Sequence, residues 1–235
     1  MNPRLLLTIG LGGVAALDAV PVGQTLLSQP LVTAVVLGAL WNQPALALSV
    51  GIVLQILAAS TLPVGARTPE DYALGGVVGC GVALVLFTSQ PYNLARDACA
   101  FAGVVSGLVA AVAGVPFIKW QRRRNEALSR WCEEALRAGS ERAPGAAHVA
   151  AVVLAFAIGV ALTAIFLAAG YWLLRGTVET QTLRLGRAWS FAHPLWMGLG
   201  LAQLLNAFVQ RRLVRAALFG ASLVAAWAFL VIEGS

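Results

Sequence analysis

Residues Leu31–Ala59 read LVTAVVLGALWNQPALALSVGIVLQILAA. Two apolar runs, Leu31–Trp41 and Ala45–Ala59, flank the polar tripeptide Asn42-Gln43-Pro44. At about 1.5 Å per residue, the first makes a helix of about 16 Å and the second one of about 22 Å. Both fall short of a hydrocarbon core of about 30 Å. Two amides and a proline turn a chain sharply. The spacing therefore predicts a re-entrant helical hairpin, which enters the membrane and leaves by the same side. Non-helical backbone is tolerated at that depth only where protein or a water-filled cavity covers it. Transporters build substrate sites from broken helices of this kind. The competing reading extends one of the runs into a full span.

The rest of the chain supplies the membrane. Of 235 residues, 59% are hydrophobic and 11% charged, with a mean hydropathy of +0.81. Soluble domains carry about 25% charged residues, so this chain needs lipid as its solvent. Its apolar runs are rich in Leu, Val and Ala and lack the alternation of an outer-membrane barrel. Helices must then satisfy the backbone, and the fold class is all-α, a polytopic helical membrane protein. The first run follows MNPRLLL and reads as a membrane helix rather than a cleaved leader, because apolar sequence resumes at once. The pattern GLGGVA at Gly10–Ala15 follows no strand and is not a dinucleotide site. Cys80, Cys99 and Cys132 are too widely spaced for a disulfide framework or a metal set.

Further apolar runs cover Leu5–Leu17, Tyr72–Phe87, Ala98–Ile118, Val149–Leu174, Leu195–Val209 and Leu213–Ile232. They divide the chain into an N-terminal membrane half, 1–118, and C-terminal membrane helices, 143–235. Between them lies KWQRRRNEALSRWCEEALRAGSER, residues 119–142, with seven basic and four acidic side chains. Leu128, Trp131, Cys132 and Leu136 recur at helical spacing, which predicts a surface amphipathic helix. The excess of arginine places it in the cytoplasm. A juxtamembrane basic loop accounts for the net charge of +6 without any nucleic-acid role. Arginines flank both sides of the last spans, so counting them leaves the orientation of the C-terminal third open.

The polar residues inside this apolar chain are few. Asp18 follows the first run, and an acid at membrane depth costs at least about 2.5–3.5 kcal/mol, which marks it for function or for capping a helix at the interface. Gln24, Gln29, Asn42 and Gln55 are amides at or within apolar edges. Amides donate and accept together, as sugar hydroxyls require, without the cost of a buried charge. Each taken alone also fits an interhelical hydrogen bond. Arg67, Glu70 and Asp71 lie in LPVGARTPEDYA, where Thr68 reads as the N-cap and Pro69 as the first residue of the next helix. His148 and His193 sit before apolar runs, with no nucleophile or metal spacing around them. No phosphate-binding loop or ATPase motif is present. No catalytic residue, metal or cofactor is expected.

The order of these features resembles a known family. ALDAVPVGQTLLSQPLVTAVVLGALWNQPALALSVGIVLQIL, then LPVGARTPEDYAL, is similar to the IIC membrane subunit of mannose/sorbose-type sugar phosphotransferase systems. The likeness rests on Leu17-Asp18, on Ser28-Gln29-Pro30 leading into a short helix, on Leu54-Gln55, and on Pro63-Val64-Gly65-Ala66 with Pro69-Glu70-Asp71. It is specific over Ala16–Ala83. It implies a non-catalytic permease subunit of a bacterial inner membrane, with no phosphorylated residue of its own. Such a subunit binds and translocates a hexose with a IID membrane partner and cytoplasmic IIA and IIB phosphocarriers, and works as an oligomer. By resemblance, Asp18, Gln24, Gln29, Asn42 and Gln55 bind substrate, while Pro63, Gly65, Arg67, Glu70 and Asp71 frame the site. Two acids of the family pattern are amides here, Asn42 and Gln55. A degenerate, non-transporting scaffold or sensor subunit is the alternative.

Overall fold

A computed structural model describes residues 2–19, 22–23, 25–59, 68–89, 95–209 and 211–233. Among these, eight helices follow one another: α1 Pro3–Ala19, α2 Pro30–Leu40, α3 Pro44–Ala59, α4 Tyr72–Ser89, α5 Arg96–Arg137, α6 Ala143–Thr180, α7 Thr182–Phe208 and α8 Arg212–Glu233. The described residues contain no strand.

The hairpin read from Leu31–Ala59 is present. α2 has 11 residues and α3 has 16, and they pack against each other around Trp41–Gln43. Its tip is fixed by burial: Trp41 is 4% exposed, and its indole Nε1 donates to Thr8 Oγ1 of α1 at 3.0 Å. Asn42 takes a left-handed backbone, φ 55°, a conformation that asparagine adopts more readily than most residues.

α4 is the centre of the molecule. Every residue from Leu74 to Leu84 is buried, and α1, α2, α3, α5 and α6 all contact this helix. Its closest neighbour is α5, and the sequence explains why. A Cβ built on Gly75 would lie 2.8 Å from the Gly107 carbonyl oxygen, and one on Gly79 would lie 2.9 Å from that of Gly103. Small residues one turn apart on both helices let the backbones touch, which is how helices gain packing energy where lipid removes the hydrophobic drive.

α4, α5 and α6 are long and apolar enough to cross a membrane. Three such helices mark a multi-pass membrane protein. α5 has 42 residues and α6 has 38, about 63 Å and 57 Å of helix, roughly twice a hydrocarbon core. Residues 119–142 are therefore not an element of their own. Lys119–Arg137 prolong α5 beyond its apolar part, and α6 starts at Ala143. The turn between them is a Schellman close: Gly139 N donates to Leu136 O at 2.9 Å, and Ser140 N donates to Ala135 O at 2.9 Å. Gly139 sits at φ 89°, where a side chain would be strained.

The start of α4 differs from the reading of the sequence. Thr68 is not its cap. α4 begins at Tyr72, and Asp71 Oδ1 accepts from Leu74 N at 3.0 Å. The backbone N–H of Asp71 donates to Ala111 O of α5 at 2.9 Å. That bond anchors Asp71 and leaves the helix start three residues after the sequence signal. The arginine-flanked stretch before the last spans is also helical, with one break at Gln181 between α6 and α7. α8 makes only marginal contact with the other described elements.

Candidate functional site

The base of the hairpin is built from amides. Pro30 is the first residue of α2, so the following N–H groups have no partner within the helix. Gln55, near the end of α3, supplies one from across the hairpin: its Oε1 accepts from Leu31 N at 3.2 Å. Its Nε2 donates to Gln29 Oε1 at 2.8 Å. One side chain thus caps α2 and orients Gln29. Leu54 beside it is fully buried and fills the space between Gly79 and Gly107, which fixes the register of Gln55.

Asp18 organises the loop before α2. It is 4% exposed. Its Oδ1 accepts from both the backbone N–H and the hydroxyl of Thr25, the latter at 2.7 Å, and its Oδ2 accepts from Ser28 N at 2.8 Å. Backbone and hydroxyl donors are what stabilise a carboxylate away from water. The acid ties the loop to the end of α1 and holds Ser28 and Gln29 in place.

Beside Gln29 lies a polar cavity of about 360 Å³. Its polar lining comes from Ser28 and Gln29 just before α2, the strap Thr68–Ala73, and Gln121, Arg122 and Asn125 of α5, while Ala16 and Ala19 of α1 and Ala58 of α3 add apolar wall. Arg122 Nη1 donates to Thr68 Oγ1 at 3.3 Å, joining strap to helix. Asp71 packs its carboxyl on Gly114 of α5. Burial pushes that carboxyl above the usual carboxylate range, against the N–H groups of Leu74 and Ala73, which pull it down. The cavity therefore offers carboxyl groups, amides, hydroxyls and a guanidinium around a space within the range of small-ligand pockets.

Of the residues proposed from the sequence, Gln29, Glu70 and Asp71 meet at this cavity. Gln55 and Asp18 hold its edge through Gln29 and Ser28. Asn42 lies at the far end of the hairpin, the length of α2 or about 16 Å away. Gln24, Pro63, Gly65 and Arg67 fall outside the described residues. Sequence reasoning missed Gln121, Arg122 and Asn125 because they stand in a run of charges that reads as solvated. The signal was there: Gln121 and Asn125 are the two amides of residues 119–142, spaced i, i+4 on one helix face. His193 packs on the Trp189 ring, centroids 4.9 Å apart, away from this cavity. The amides, hydroxyls and carboxyl groups gathered here suit recognition of a polyhydroxylated ligand.

Three comparisons bear on this geometry. The family model described as "PTS system sorbose-specific iic component" matches residues 5–233. A solved structure titled "Structure of membrane protein" shares the fold, with a TM-score of 0.71 over 100% of this chain and 92% of that one at 14% identity. No curated protein matches the chain at a significant level.

Proposed function

This chain belongs to the family of PTS sorbose-specific IIC components, and we propose that it binds a hexose in the cavity between Gln29, the Thr68–Ala73 strap and α5. It would carry the sugar across a bacterial inner membrane for phosphorylation by a IIB partner. As a IIC component of a sugar phosphotransferase system it works with other components of that system and with a membrane. A IID subunit, cytoplasmic IIA and IIB phosphocarriers and an oligomeric assembly belong to the proposal.

One observation carries it. The amide pair Gln29–Gln55, locked at 2.8 Å, stands at the wall of a polar cavity that also gathers Glu70, Asp71, Gln121 and Asn125. Hydroxyls of a sugar need paired donors and acceptors, and amides with carboxylates give both. The replacement of a family acid by Asn42 weighs little against transport, because Asn42 serves the left-handed turn and lies away from the cavity. The scaffold reading therefore gains nothing from that departure.

Equilibrium binding of radiolabelled hexoses to the purified IIC–IID complex tests the proposal. Saturable binding is expected to weaken about tenfold or more in Gln29→Ala, from the loss of one or two ligand hydrogen bonds at about 1–1.5 kcal/mol each. Equal binding by wild type and by Gln29→Ala and Glu70→Gln would move the sugar elsewhere.

A further inference from the structure

At the end of the molecule opposite the polar cavity, α1, α4 and α6 enclose a second cavity of about 440 Å³. Its lining comes from the N-terminal part of α1, the last turns of α4 and residues 164–172 of α6. Leu5, Ile9, Val85 and Leu167 make its walls apolar, and Trp41 of the hairpin tip closes one side. Several of the polar hydrogens on or beside these walls are used within the protein. Trp41 Nε1 donates to Thr8 Oγ1 at 3.0 Å, the Thr8 hydroxyl to Arg4 O at 2.8 Å, and the Thr88 hydroxyl to Leu84 O at 2.7 Å. The donors of Asn2, Ser89, Tyr171 and Trp172 remain, but most of the lining is apolar, which suits a hydrocarbon chain.

The rim has the opposite character. Tyr171 and Trp172 border the cavity, and the Arg175 guanidinium, one turn on, lies 5.9 Å and 4.9 Å from their ring centroids. Stacking on aromatic faces leaves the N–H edges of a guanidinium open to an anion. Among the described residues no acid lines the cavity, and Glu179 stands one turn beyond Arg175. Trp172 of the lining is 66% exposed, and its α6 neighbours Ile165 and Leu173 are 60% and 76% exposed, so this side of α6 faces outward. In a membrane chain that face meets lipid, and a Trp/Tyr/Arg rim is what membrane–water interfaces select.

We propose that this groove is a lipid site: one acyl chain of an anionic glycerophospholipid fills it, and the lipid phosphate sits on Arg175. The chain supplies apolar contact and the guanidinium supplies charge, so the site distinguishes headgroups as well as tails. The site is independent of the sugar cavity and of the reading given to it.

Native mass spectrometry of the full chain, titrated with phosphatidylglycerol or phosphatidylethanolamine in detergent, tests the proposal. One phosphatidylglycerol per chain is expected to survive activation that strips the rest. Ala168→Trp, which fills the groove, is expected to lose that lipid. Arg175→Gln touches only the rim and leaves the packing intact, so it tests the headgroup half even if the first variant misfolds. It is expected to lower phosphatidylglycerol retention about tenfold, to the level of phosphatidylethanolamine. Retention unchanged in both variants would overturn the proposal. So would a groove filled by protein, seen as an altered oligomer mass in Ala168→Trp with the lipid count unchanged.

Discussion

Gln55 matters because its amide works in two directions: its oxygen caps α2 at Leu31 and its nitrogen holds Gln29. Gln55→Glu keeps an oxygen for Leu31, so sugar affinity is expected to stay within about threefold. Gln55→Ala leaves both partners unmet, at about 1 kcal/mol or more, and affinity is expected to fall about tenfold. Isothermal titration of the purified complex ranks the two, and equal loss in both would show that the cap is not what counts. Asp71 is a different case. Its carboxyl lies above the ordinary value because of burial, so folding favours its neutral form. Its contribution to stability is greatest at low pH and fades as pH rises through the raised value. Asp71→Asn keeps an oxygen for Leu74 N but cannot ionise. Apparent melting midpoints recorded between about pH 4 and 8 are therefore expected to fall more steeply with pH in wild type than in Asp71→Asn. Parallel profiles would contradict this.

Among the elements, α7 braces the site from outside. It packs on α3 at Gly200, where an added Cβ would lie 2.4 Å from Ile56 Cγ2 and 3.1 Å from the Ile56 carbonyl oxygen. Ile56 is the neighbour of Gln55. Gly198, two residues earlier on the same helix, has nothing within 4 Å. Both Gly→Ala changes gain about 1 kcal/mol of helix propensity, but only the one at Gly200 overpacks, at about 1–3 kcal/mol. The apparent melting midpoint is expected to rise or hold in Gly198→Ala and to drop in Gly200→Ala, and the same shift in both would refute the close contact. No pattern in the chain announces this pairing, because a glycine in an apolar helix reads the same whether it faces lipid or a neighbour. The glycines of α4 and α5 were more legible, since both helices carry a pair one turn apart.

For the whole molecule, the joined ends of α5 and α6 reach beyond the membrane on one side, carrying the arginines of 119–142. By the positive-inside rule that side is expected to be cytoplasmic. Trypsin is therefore expected to cut after Arg123, Arg124 or Arg130 in inside-out vesicles and to spare them in right-side-out ones. Mass spectrometry of the fragments decides it, and the reverse pattern would invert the molecule. The sequence alone determined the solvent, the helices, the short hairpin and the amides at its ends, because hydropathy, length and turn chemistry are local properties of the chain. Only the tertiary structure decided which polar groups share a cavity. It put Gln29 with Gln121, Arg122 and Asn125 across more than ninety positions, and it left Asn42 at the other end of its own hairpin. The physical reason is that a polar side chain has no signature of its own partner. Whether it meets a ligand, a helix end or water is fixed by which helices pack, and here that packing was set by glycine contacts and by Leu54 rather than by the polar residues.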